Sequence, residues 1–173
     1  LMAAVFRKAQ GFDIGTPEID EVEIREAERL LDKAGEKIML PEDNVVVHGT
    51  KIEADAAYRN VPVGDISTDA TIADIGTKTV DRFKEELKRG KTILWNGPLG
   101  VSEVEQFAKG TTAIARALAE LDAVTIVGGG DTDSAIGKAG VNDAMTHVST
   151  GGGAFLAFLE GKELPAIAVL ERT

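Results

Sequence analysis

Strand-like and helix-like runs alternate along this chain, glycine clusters mark the junctions between them, and 43% of its residues are hydrophobic. These three observations predict an α/β fold in three layers, a mainly parallel sheet covered by helices on both faces. With 173 residues the chain can bury one sizeable core, so a single domain over residues 1–173 is expected.

Residues 18–34 carry Ile24, Ala27, Leu31 and Ala34 on one stripe among many glutamates, which predicts an amphipathic helix with a solvated acidic face. Val45-Val46-Val47 and Ile72-Ala73-Asp74-Ile75 read as buried strands. Residues 48–70 hold no clear period and are expected to form an irregular or antiparallel excursion. Val80, Phe83 and Leu87 mark a helix, followed by a strand at 92–95 whose Trp95 is expected in the core. Val104, Phe107, Ala108, Ala115 and Leu118 mark the next helix, which Glu103 is expected to open, its charge suiting the positive helix end. Ala123–Val127 forms a strand before a small apolar helix, and a second such helix follows Gly153. Ala166–Leu170 is expected to be a last short strand.

The chemistry concentrates in the loops. Glycine triplets stand at 128–130, in VGGGDTDS, and at 151–153, in STGGGAF. Glycines at a strand-to-helix turn let backbone N–H groups approach an anion at the positive end of a helix. They also serve tight connections that bind nothing, and both readings are open at this point. Asp131 and Thr132 follow the first triplet; either is a fitting helix cap, and Asp131 is a fitting oxygen ligand for Mg²⁺. A third loop, Trp95-Asn96-Gly97-Pro98-Leu99-Gly100-Val101-Ser102-Glu103, is shaped by Pro98 and by the bends that Gly97 and Gly100 permit. In open α/β sheets ligands lie beyond the carboxyl ends of the strands, where all three turns fall.

Other chemistry is excluded. A net charge of −10 opposes general affinity for nucleic acid. No apolar run approaches the roughly 18 residues of a membrane helix, and Leu-Met-Ala-Ala-Val-Phe is too short for the apolar core of a signal peptide. The absence of cysteine removes disulfides and thiolate metal sites and is compatible with a reducing cytosol. His48 and His147 stand in no nucleophile-elbow pattern, and no G-x-G-x-x-G follows a strand as a dinucleotide-binding oxidoreductase would require.

ADIGTKT, WNGPLGVSE, FAKGTTAIARAL, VGGGDTDSAI and HVSTGGGAFLAFLEGKELP resemble, in order and spacing, the C-terminal nucleotide-binding domain of the phosphoglycerate kinase family. LMAAVFRKAQGFDIG is similar to the helix and turn after that family's own GGG-Met-Ala segment. The resemblance covers nearly the whole chain and is densest over residues 72–165. It implies a Rossmann-like domain and phosphoryl transfer between 1,3-bisphosphoglycerate and ADP, giving 3-phosphoglycerate and ATP: a glycolytic, cytoplasmic, magnesium-dependent phosphotransferase whose acceptor is a carboxyl group, in a monomeric parent. Gly129, Gly130, Asp131 and Thr132 match the segment on the nucleotide phosphates, with Asp131 the Mg²⁺ partner. Gly151 and Gly152, with Gly130, match the amides facing the transferred phosphoryl group. Glu103 matches the acid on the ribose hydroxyls, Asn96, Gly97, Pro98, Leu99, Gly100 and Val101 the loop that shapes the nucleotide pocket, and Gly76 a contact near the base.

The same resemblance implies missing parts: the whole N-terminal domain that holds the phosphoglycerate, and the first strand-helix-strand portion of this domain with its phosphate-binding lysines. Lys51, Lys78 and Lys91 fall outside those motifs. The chain alone is therefore expected to bind ADP or ATP and to lack turnover, with 3-phosphoglycerate or 1,3-bisphosphoglycerate bound only alongside the missing domain. Two further readings are a non-catalytic nucleotide-binding or interaction module on the same half-fold, and an inert piece that needs its missing strands.

Overall fold

A computed structural model describes residues 2–171. They form two compact units, one of residues 2–83 and 99–110 and the other of residues 84–98 and 111–171.

The first unit begins with α1 (Met2–Ala9), packed on α2 (Glu21–Ala34) through the buried Ala4, Val5 and Ala27. Asp20 starts α2 by accepting the N–H of Val22 at 2.7 Å, and Gly35, at φ +54°, ends it. The helix expected from residue 18 thus begins where its capping aspartate stands.

Three strands follow, β1 (Asp43–His48), β2 (Tyr58–Pro62) and β3 (Ala70–Ile75), in the order β2-β1-β3 with both pairs antiparallel. The strands expected at 45–47 and 72–75 are present and adjacent, but not parallel to each other. A parallel pair needs a crossover, usually a helix; the segment between them holds β2 and the short turn of 3₁₀ helix Val63–Asp65. The antiparallel alternative expected for 48–70 is what β2 adopts. One cluster of the core joins Val46, Ile66 and Ala70, and another joins Val47, Ala73 and Phe107. α3 (Thr77–Leu87) leads out of β3.

The segment after Val101 departs from expectation. Glu103 opens no helix: it lies in a turn, followed by the 3₁₀ turn Glu105–Phe107, and α4 (Lys109–Ala119) starts six residues later. Burial of Phe107, fully enclosed and edge-on to Tyr58 at 5.8 Å, pulls the chain inward before the helix begins.

The second unit is built on β4 (Thr92–Asn96), β5 (Val124–Gly128) and β6 (His147–Ser149), all parallel in that order. This is the parallel sheet that the sequence predicts. Ile93, Trp95, Thr125 and Val127 are buried, as are Ile114, Ala115 and Leu118 of α4 and Ala135 and Ile136 of α5 (Gly130–Ala139). Leu94 and Val124, one residue out of phase with the buried positions of their strands, are exposed. Trp95 is in the core, as expected. α6 (Gly152–Leu159) follows β6.

Residues 165–171 form a helix, α7 (Pro165–Glu171), not the short strand expected over 166–170. A short apolar run reads equally as strand or helix; Pro165 in the first helical position has its φ already set for the helix and needs no N–H there.

Candidate functional site

In the second unit, the end of β4 is fixed by its own side chains. Trp95 Nε1–H donates to the Gly97 carbonyl at 2.7 Å, and Gly97 turns with φ +91°. The Gly97 N–H then donates to Thr132 Oγ1 at 2.8 Å. Thr132 is fully buried, so its hydroxyl ties the β4 loop to the first turn of α5 and is not the helix cap. Nor is Asp131, which lies exposed in that first turn. The cap position belongs to Gly129, at φ +96°, which has no side chain to bond the helix end.

The second triplet is built the same way. Gly151 caps α6 with no side-chain hydrogen bond. The two turns meet: Gly129 N–H donates to the Ser149 carbonyl at 3.0 Å, and a Cβ on Gly152 would lie 3.0 Å from the Gly129 Cα and 3.8 Å from Asn96 Nδ2. Asn96, Gly129 and Gly152 are thus brought together.

The glycines differ in why they are glycine. A Cβ on Gly128 would overlap the Phe155 ring, Gly129 needs its positive φ, and Gly152 faces backbone. A Cβ on Gly130 or Gly153 would meet nothing within 4 Å, and one on Gly151 only the Ala154 Cβ at 3.7 Å. Packing does not require these three to be glycine, and each leaves its backbone uncovered. Helix starts with free N–H groups and no local cap favour an anion.

The expected residues of the first unit have another environment. Gly76 precedes α3, and a Cβ there would overlap the carboxylate of Asp43. From β1 that carboxylate accepts the N–H of Thr79 at 2.8 Å and of Lys78 at 3.2 Å, as a cap on α3 itself would do. Thr79 Oγ1 and Asn60 Nδ2 also donate to it, at 2.6 and 2.8 Å. Burial pushes the Asp43 pKa up, but these hydrogen bonds outweigh it and hold the group below the usual carboxylate range.

Asp74 repeats the device on α4. It accepts the N–H of Gly110 at 2.7 Å and that of Ile75 at 2.8 Å, and side chains on Gly100 or Gly110 would overlap it. Its burial, with fewer compensating donors, raises the pKa to about 6. Neither aspartate was anticipated. The available signal was indirect: Gly76-Thr77-Lys78 starts a helix without Ser, Asp or Asn at the cap, so the cap has to come from elsewhere. Leu99 and Val101 line a cavity of about 290 Å³ that Asp74 also lines, while Glu103 is exposed.

Among the described residues no group of three or more His, Asp or Glu side chains gathers as a metal cage. An exposed carboxylate in the first turn of α5 fits Mg²⁺ only as a single protein ligand, the remaining oxygens coming from bound phosphate and water.

A parallel sheet whose strands feed glycine turns onto uncapped helix starts belongs to the class of α/β proteins that receive phosphate groups on helix ends. The phosphoglycerate kinase family model matches residues 1–162. A phosphoglycerate kinase of Chlorobaculum tepidum is 52% identical over 175 positions, covering 98% of this chain and 44% of the relative, and one of Finegoldia magna is 50% identical, covering 98% and 43%. The solved phosphoglycerate kinase of Coxiella burnetii superposes with a TM-score of 0.89 at 41% identity, over 98% of this chain and 44% of that one. The Pyrococcus horikoshii enzyme gives 0.84 at 33% identity, over 98% and 43%. The chain belongs to the phosphoglycerate kinase family, and it spans less than half the length of these relatives.

Proposed function

We propose that this chain is the nucleotide-binding part of a phosphoglycerate kinase, which moves a phosphoryl group between 1,3-bisphosphoglycerate and ADP in the cytoplasm. The observation that carries the reading is the meeting of two uncapped glycine helix starts beside Asn96. Phosphoryl transfer depends on positioning and on neutralising charge more than on covalent chemistry by the protein. The amides of Gly129 and Gly130 serve the nucleotide phosphates, and those of Gly151 and Gly152, with Gly130, face the moving phosphoryl group. Thr132 acts here through Gly97, whose N–H it holds. Asp131 is the protein ligand of Mg²⁺, which when bound neutralises phosphate charge. Glu103 accepts from the ribose hydroxyls, Asn96, Gly97, Pro98 and Leu99–Val101 shape the pocket, and Gly76 lies near the base.

ADP bound through an oxygen of its terminal phosphate would attack the acyl phosphate, breaking the bond to the glycerate carboxylate, which leaves as 3-phosphoglycerate. That substrate needs cationic groups beyond this acidic chain, so turnover is assigned to the chain together with an N-terminal domain and the first strand-helix-strand of this one. Calorimetric titration of the 173-residue chain with ADP tests the reading, with and without Mg²⁺. Binding is expected, and Asp131→Asn should weaken it more with the metal than without. No binding in either condition would identify an inert piece. Binding without any turnover after an N-terminal portion is supplied would favour a non-catalytic module.

A further inference from the structure

We propose that Asp74 is a positioning residue for the nucleotide, its carboxylate setting the placement of the Leu99–Val101 segment from the end of β3. This rests on the reading that Leu99–Val101 belong to the nucleotide pocket. Asp74 is 1% exposed, so no solvent replaces its oxygens as acceptors. One oxygen holds the Ile75 N–H and the other the Gly110 N–H. The next residue back, Ala73, accepts the N–H of Val101 at 2.9 Å. Gly100, next to Val101, is packed so closely on the Asp74 carboxylate and the Phe107 carbonyl that any side chain would overlap both. A movement of the carboxylate therefore passes directly to the segment, with no flexible side chain to absorb it.

A cap that merely stabilises α4 would need only the Gly110 bond. The emptied position at Gly100 and the adjacent backbone strap at Val101 have no part in such a role. The charged group acting on Asp74 is Lys109 on α4; Arg7 on α1 lines the same cavity as Asp74, and the neighbour of Asp74 on β1, Val45, does not titrate. With a pKa raised to about 6 by burial, Asp74 changes state near neutrality. Protonation relieves the buried charge and also replaces one of its two acceptors with a donor.

The experiment compares the 173-residue chain with Asp74→Asn, which keeps the shape and loses the charge. Without nucleotide, amide exchange at Val101 and Gly110 should accelerate by about tenfold or more in the variant, while α2 is unchanged. With Mg²⁺ present, ADP affinity at neutral pH should fall by about tenfold. Relative to the variant, the wild type should lose affinity between about pH 7 and pH 5; the ratio cancels titration of the nucleotide itself. Gly100→Ala, which displaces the carboxylate from the other side, should weaken ADP in the same way and serves if Asp74→Asn fails to fold. Unchanged exchange, or equal affinity at every pH, overturns the proposal. A wild-type chain that binds no ADP overturns the nucleotide reading instead, recognisable because exchange at Val101 and Gly110 still separates the two proteins.

Discussion

The helix starts of the two units solve one problem in opposite ways. In the first unit α3 and α4 begin on N–H groups already accepted by buried carboxylates, Asp43 and Asp74, sent from neighbouring strands. In the second, α5 and α6 begin at cap glycines that have no side chain to serve them. Glycine is abundant in both places for contrary reasons. Gly76, Gly100 and Gly110 make room for a carboxylate of the protein itself, whereas Gly130, Gly151 and Gly153 leave space that no protein side chain fills. A glycine next to a helix start is thus evidence of a ligand only after the protein's own anions have been placed.

That contrast can be broken most forcefully at Asp43. Asp43→Ala removes the acceptor of four hydrogen bonds, two of which serve donors of the fully buried Thr79. A loss of roughly 4 kcal/mol in urea unfolding is expected; a loss below about 1 kcal/mol would mean that α3 does not depend on its borrowed cap.

The two carboxylates should also respond oppositely to pH. Asp74 has a folded pKa raised from 3.8 to about 6, so the native state holds the extra proton between those values. Its contribution to stability is present at low pH and lost as pH rises from about 4 to 6, by roughly 3 kcal/mol in all. Asp43, lowered below 3.8, contributes above that value and loses its contribution as pH falls through its folded pKa. Urea midpoints measured across this range, in wild type and Asp74→Asn, should differ in slope between pH 4 and 6; parallel curves would remove Asp74 from the account.

The smallest effect sharpens the comparison most. Gly76→Ala forces a methyl group into the Asp43 carboxylate and should cost roughly 2 kcal/mol. Gly130→Ala meets nothing and should change stability by less than about 0.5 kcal/mol. The same Gly130→Ala should still weaken ADP about tenfold if that space belongs to a phosphate. Matching stability losses in the two variants would erase the distinction between filled and open helix starts.

Where periodicity or a local cap governs an element, the sequence was a sufficient guide. The stripe of Ile24, Ala27 and Leu31, the strand through Trp95, and the valine run before Gly128 are all where they were expected. The errors fall where neighbours in space decide. Residues 166–170 are the exception, a local ambiguity: their apolar pattern suits either structure, and the adjacent Pro165 selects the helix. Glu103 has the charge of a helix start, but burial of Phe107 delays α4 to Lys109. Thr132 has the chemistry of a cap or a phosphate contact, and the Gly97 N–H, 35 residues away along the chain, claims its hydroxyl.

The sequence by itself determined the α/β class and the positions of the glycine turns, through spacing along the chain, and the family, through the resemblance of its motifs. Only the tertiary structure decided which helix starts are already satisfied. A carboxylate serves an N–H group through a distance of about 3 Å in space. Asp43 reaches Thr79 across 36 positions, as Asp74 reaches Gly110, and no local pattern encodes a separation that the folding of β1 and β3 alone creates.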